Sequence, residues 1–262
     1  MRWLPSLMRV YPKLRNKIMS FLEAVRFLTF IPLPARDASW EEVGRSTAYF
    51  PLVGALLGSI LVLADALLGK IWSRLLVSAV LVVLWVILTG GLHLDGLADT
   101  VDGLRGGRGR EERLAIMKDS RLGTFGGVAV FCLLVLKLAF VNELGPAWCG
   151  RGLLLAPTLG RWAMVYGICA FPSARPGGTG SIFKEHSGLR EFVLATALAL
   201  VVALPLFYLW GPAILGGLWL AVALLGWTLT RALGGLTGDT YGALCEVSEV
   251  LVLAMLALVG VL

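Results

Sequence analysis

The chain has 262 residues, 58% hydrophobic and 15% charged, with a formal net charge of +6. Soluble domains run about 45–50% apolar and about 25% charged, so this composition, with a mean hydropathy of +0.83, excludes an ordinary soluble domain and describes an all-α polytopic membrane bundle. It also argues against nucleic acid as a partner: no basic surface domain exists to carry it, and excess Lys and Arg in a polytopic chain report orientation and contact with anionic lipid.

Residues 1–20 form a basic extension with Arg2, Arg9, Lys13, Arg15 and Lys17, and no apolar core precedes a small-residue cleavage site. No signal peptide is read there. Residues 21–262 read as a single membrane-embedded domain. Residues 16–34 mix Phe21, Leu22, Val25, Leu28 and Phe30 with Glu23 and Arg26, the pattern of an interfacial helix ended by Pro32 and Pro34. About seven apolar stretches then reach or approach spanning length, near residues 48–69, 73–92, 124–143, 150–171, 190–210, 212–231 and 241–262. Gly211-Pro212 supplies the turn between the fifth and sixth. With the basic N-terminus inside, the inside loops are 93–123, 172–189 and 232–240. They carry Arg105, Arg108, Arg110, Arg113, Lys118, Arg121, Arg175 and Lys184, while the outside loops carry few charges, as the positive-inside rule requires. Every polar, motif-like segment thus falls on the cytoplasmic side of a cell membrane. Cys132, Cys149, Cys169 and Cys245 form no CxxC pair and read as small apolar packing residues.

The strongest chemical signal is His93-Leu94-Asp95-Gly96-Leu97-Ala98-Asp99-Thr100-Val101-Asp102-Gly103, directly after the second apolar stretch. Spacings of i, i+4 and i+7 put Asp95, Asp99 and Asp102 on one helix face. Such a stripe is self-repelling and poorly solvated near a membrane, so a hard cation, Mg²⁺ or Mn²⁺, is the natural compensation. Gly96 and Gly103 allow a phosphate or metal close to the backbone. His93 suits a ligand or proton-transfer role as well as a plain interfacial hydrogen bond. Lys118 and Arg121, in a string with Asp119, Ser120, Gly123 and Thr124, suit phosphate oxygens. Arg161 lies mid-span and needs an anionic partner, an acidic side chain or a bound phosphate; Arg175 is a weaker candidate on a loop. Asp239, Glu246 and Glu249 make a second acidic face at i, i+7 and i+10. The two glutamates fall inside a span, where they imply a cation, an arginine or suppressed ionisation. An ion-coupled transporter is the competing class for such residues. No P-loop, GxGxxG or GxSxG fingerprint stands out.

Taken in order, several strings resemble the cobalamin synthase, or adenosylcobinamide-GDP ribazoletransferase, family. They are Phe27-Leu28-Thr29 with Ile31-Pro32-Leu33-Pro34; Phe50-Pro51-Leu52-Val53-Gly54; Gly90 through Gly103; Ile116 through Arg121 with Gly123-Thr124-Phe125-Gly126; Gly160-Arg161; and Thr237 through Ala243 with Glu246 and Glu249. The resemblance implies a membrane-embedded, Mg²⁺-dependent transferase. It would join adenosylcobinamide-GDP to α-ribazole, or its 5′-phosphate, and release GMP. On that reading Asp95, Asp99 and Asp102 hold metal, and Lys118, Asp119, Ser120, Arg121, Arg161 and Arg175 bind substrate. Asp239, Glu246, Glu249 or His93 serve catalysis. Other cobalamin-pathway enzymes or a second copy of the chain are the protein partners it suggests. A looser likeness to CDP-alcohol phosphotransferases breaks down at Asp99, where that pattern continues with Ala-Arg.

Overall fold

The computed structural model describes residues 12–34, 36–207 and 210–261; Arg2 and Arg9 of the basic extension lie outside the described residues. Regular structure among them is helical, apart from one isolated pairing of Ser173 with Leu236. In chain order the helices are α1 (Pro12–Leu28), α2 (Trp40–Ser46), a 3₁₀ turn (Thr47–Tyr49), α3 (Phe50–Leu68), α4 (Arg74–Thr89), α5 (Leu92–Gly106) and α6 (Arg110–Ile116). They continue with α7 (Thr124–Glu143), α8 (Pro146–Ala170), α9 (Thr179–His186), α10 (Leu189–Phe207), α11 (Trp210–Leu233) and α12 (Gly238–Val261). Six of these runs are long and apolar enough to cross a membrane: Trp40–Leu68, α7, α8, α10, α11 and α12. The bent pair α4–α5 makes a seventh if its halves share one span.

That pair is where the fold departs from the expected layout. The span expected over 73–92 stops at Thr89, and the chain turns by 88° into α5. Gly90 and Gly91 have φ of +61° and +71°, two successive left-handed residues that only glycine adopts without strain. The acidic stripe, expected in an inside loop over 93–123, therefore rides on a bundle helix.

Close contacts give the helix directions. Gly54 and Gly58 of α3 approach Pro157 and Leu153 of α8, and Gly160 and Gly152 of α8 approach Cys245 and Leu253 of α12. Gly96 of α5 meets Asp239, and Gly242 of α12 meets His93. Each pairing runs antiparallel, so α3 and α12 begin at the end of the bundle where α8 and α5 finish. The spans of α8 and α12 are the most enclosed, with 78% and 67% of their spanning windows buried. Polar side chains on these two helices consequently have to be satisfied inside the protein.

At the N-terminal side, α1 runs through residue 20, where the basic extension was expected to end, and stops at Leu28, before the two prolines. The Thr29 hydroxyl donates to the Val25 carbonyl at 2.7 Å, and Arg26 donates to Glu23 and to the carbonyls of Pro34 and Arg36. These contacts close the last turn and tie down the extended segment that Pro32 and Pro34 impose. Gly211-Pro212 falls in the first turn of α11, where proline costs no helical hydrogen bond.

Candidate active site

α5 and α12 meet closely at the end of the bundle where α12 begins. A Cβ on Gly96 would lie 2.6 Å from the Asp239 carbonyl oxygen, so only glycine lets the backbones approach this far. The approach carries Asp239 to the Asp95–Asp99 turn. Asp99 sits in the field of Asp95, Asp239 and Asp102, and the cation acting on it is Arg175. Arg175 and Asp95 act on Asp239 as well. Asp95 is exposed, and Asp99 and Asp239 are partly buried. Oxygen donors thus gather from two segments about 140 residues apart in the chain. Among the described residues, no three His, Cys, Asp or Glu side chains converge into a ready-made metal cage.

Local hydrogen bonds set this geometry. At the start of α12 the Thr240 amide donates to the Thr237 hydroxyl at 3.3 Å, and the Thr237 amide donates to the Thr240 hydroxyl at 2.8 Å. This reciprocal cap satisfies amides that a helix start leaves free, and the Thr237 hydroxyl also donates to Asp239 at 3.2 Å. Arg175 arrives through the Ser173–Leu236 pairing: Ala174 donates to the Leu236 carbonyl, and Leu236 to the Pro172 carbonyl, both at 2.8 Å. Arg110 donates to the carbonyls of Leu233 and Ala174, and Arg113 to that of Ala232. In sequence these two arginines read only as an orientation signal. In the structure they satisfy carbonyls at the end of α11, where cations are favoured.

Asp102 is used differently from its two companions. Its oxygens accept the amides of Gly123 and Gly126, both at 2.8 Å, and its side chain is buried. A carboxylate at a helix N-terminus is stabilised by the free amides and the dipole, so the residue expected to hold metal anchors the start of α7. It also lines a shallow cleft of about 400 Å³ with Asp119, Arg121, Gly123 and Thr124. Asp119 and Arg121 pair at 2.5 Å on the rim. Hydrogen bonds from the Arg121 side chain and backbone hold the Asp119 carboxyl down at about 2. Lys118 and Ser120 are exposed beside them.

Deeper along α12 the acidic face changes character. Glu246 and Glu249 lie seven and ten residues beyond Asp239, about 10 and 15 Å further in at 1.5 Å per residue. Both are buried with Lys137, Arg161 and His93. Lys137 reaches Glu246 at 2.7 Å and Glu249 at 2.5 Å, and Arg161 pairs with Glu249 through its other oxygen. Arg161 also donates to the Pro157 carbonyl and contacts His93 Nδ1 at 3.3 Å. Lys137 lies 4.5 Å over the Trp85 ring, a favourable place for a desolvated ammonium. Two anions and two cations balance, as burial in a membrane interior demands. The expected roles shift accordingly. Of the two partners expected for Arg161, an acidic side chain or a phosphate, the structure gives the acidic one, Glu249; Glu246 and Glu249, also candidates to activate a hydroxyl or complete a metal shell, pair with Lys137 and Arg161. His93 is enclosed with them. The buried acids that suggested ion coupling are thereby neutralised from within.

Lys137 is the residue that sequence reasoning missed. It stands alone in the apolar run 131–141, and the rule that singled out Arg161, that a charge within a span needs a partner, applies to it equally.

Known proteins are similar to this chain along most of its length. The family model described as cobalamin-5-phosphate synthase matches residues 20–257. A protein of Roseiflexus sp. (strain RS-1) named adenosylcobinamide-GDP ribazoletransferase is 46% identical over 237 residues, covering 90% of this chain and 88% of the relative. Relatives of the same name from Herpetosiphon aurantiacus and Desulforamulus reducens are 43% and 42% identical, covering 92% and 90% of this chain and 96% and 94% of theirs. No solved structure matches. With the match running from α1 to the last turns of α12 and embracing every acidic residue described above, the chain belongs to the cobalamin-5-phosphate synthase family of enzymes.

Proposed function

We propose that this enzyme transfers the adenosylcobinamide phosphoryl group from adenosylcobinamide-GDP to α-ribazole or its 5′-phosphate, releasing GMP, at the acidic end of the bundle. The observation that carries the reading is the close approach of Gly96, between Asp95 and Asp99 on α5, to the Asp239 backbone of α12, which sets these carboxylates and Arg175 in one another's field. The relatives' shared name supplies the substrates. In the reaction a ribazole hydroxyl oxygen bonds to the cobinamide-side phosphorus while that phosphorus loses its bond to the bridging oxygen. The bridging oxygen leaves with GMP. Asp239, partly buried and held by Thr237, takes the hydroxyl proton. Arg175, Lys118 and Arg121 bind phosphate oxygens. Asp102, by anchoring Gly123 and Gly126, keeps the Lys118–Arg121 turn against α5.

Asp95 and Asp99 would hold Mg²⁺. Their hard oxygen donors fit an ion that needs only one or two carboxylates and completes its shell from substrate phosphates and water. When bound, the ion neutralises phosphate oxygens as charge moves to the leaving group. The Lys- and Arg-rich segments at this end favour a cytoplasmic face in the cell membrane.

The test is to incubate the purified protein with adenosylcobinamide-GDP and α-ribazole, with Mg²⁺ or with EDTA. Equimolar GMP and a cobalamin product are expected in the Mg²⁺ arm alone. Folded protein that makes no product removes the transferase reading; product undiminished by EDTA removes the metal.

A further inference from the structure

A second polar recess lies at the same end of the bundle, separated from the acidic site by α9. α9 stands between them: Gly44 of α2 packs on His186, and Gly180 on Gly238. Helices α1 and α2 and the start of α10 enclose a cleft of about 650 Å³, within the ~300–1,000 Å³ typical of ligand sites. Arg15, Lys17, Arg45 and Arg190 line it. Three acids line it as well, and each is already engaged. Glu41 pairs with Arg45 at 2.5 Å and Glu42 with Arg36 at 3.0 Å, while Glu191 accepts the Gly188 amide at 3.0 Å. Arg15, Lys17 and Arg190 have no ion-pair partner among the described residues. Arg15 acts on Glu42 across the cleft, so the lining, four cations against three acids, keeps a small cationic excess that an anion relieves.

The recess continues into hydrocarbon. Arg190 heads a face of α10 on which Leu194, Val201 and Leu204 follow at i+4, i+11 and i+14. Leu194 itself lines the cleft, and all three are exposed. One helix face therefore presents a cation at the bundle end and an apolar stripe below it. That is complementary to an amphiphile with an anionic head, and basic recesses between helices at a membrane surface are suited to anionic headgroups.

We propose that this cleft binds the phosphate headgroup of an anionic phospholipid, with an acyl chain lying along Leu194, Val201 and Leu204. A free phosphate would use the same cations but would have no use for the apolar stripe. A zwitterionic lipid would bring its ammonium group against the arginines.

The test uses the full-length protein in detergent, titrated with phosphatidylglycerol, phosphatidylcholine or inorganic phosphate. Thermal unfolding and lipid retention in native mass spectrometry are followed. Phosphatidylglycerol should raise the unfolding midpoint by several degrees and stay bound, and phosphatidylcholine should do neither. The Arg15→Gln/Lys17→Gln/Arg190→Gln variant should weaken phosphatidylglycerol binding at least tenfold. If that variant does not fold, Arg190→Gln alone decides, with at least a threefold loss expected. Equal responses to the two lipids, an unchanged variant, or the full shift reproduced by inorganic phosphate would each overturn the proposal.

Discussion

Helix α12 carries carboxylates in two opposite surroundings. Asp239, at its start, stands with Asp95 and Asp99 near one guanidinium, partly open to solvent. Glu246 and Glu249, two and three turns deeper, are enclosed and matched by Lys137 and Arg161. The difference separates a place with negative charge to spare from one that is already neutral. In the proposed function, anionic substrates and a divalent ion act at the first. The second ties α7 and α8 to α12 through Lys137 and Arg161, and α5 joins it through the His93–Arg161 contact. Carboxylates stand in both places, aspartates at the open end and glutamates in the interior, and what surrounds them separates the two.

The sharpest way to break this comparison is to remove charge from each side. Asp99→Asn should lower turnover by roughly 10²–10³-fold or more, the scale of losing one electrostatic contact to the transition state, while membrane insertion and thermal unfolding stay as in the parent; retained turnover would dissolve the distinction. Lys137→Met should act through stability, because a buried carboxylate left without its partner costs about 3–5 kcal/mol. Unfolding in detergent measures that loss. Adding Glu246→Gln rebalances the charge and should recover most of it, and a double variant as unstable as the single one would refute the neutral-network account.

Two smaller effects sharpen the picture. Gly96→Ala places a methyl 2.6 Å from the Asp239 carbonyl and should cost about 1–3 kcal/mol as an overpacked contact. Turnover should fall further than stability does, since α5 and α12 are pushed apart at the site itself; comparing the unfolding midpoint with kcat checks this. The least consequential change is at the rim. Asp119, held at about 2 by Arg121, should remain ionised as pH falls through 4 in a carboxyl-resolved NMR titration. Arg121→Gln should let its midpoint rise towards the ordinary value of about 3.9.

Much of the architecture was legible in the sequence. Hydropathy and length located the spans, since each apolar run must cross a hydrocarbon layer of fixed thickness. The spacing of Asp95 and Asp99 put them on one face, since a helix repeats every 3.6 residues. The turn at Gly90–Gly91 was not legible as a right-angle break, because two adjacent glycines permit left-handed backbone without requiring it. Asp102 belonged to the same periodic stripe as Asp95 and Asp99, and periodicity cannot tell a free carboxylate from one that accepts the amides at Gly123 and Gly126. Asp239, Glu246 and Glu249 likewise share a face by spacing, yet α12 carries that face from an open end into an enclosed interior.

By itself, then, the sequence determined a polytopic helical bundle, its family and the acidic residues worth attention, because hydrophobic runs and residue spacing are local properties. Only the tertiary structure decided which acids stay unpaired and which are cancelled. Pairing depends on what neighbouring helices bring across the bundle, and the lysine and arginine that do the cancelling lie more than 80 residues away from the glutamates they meet.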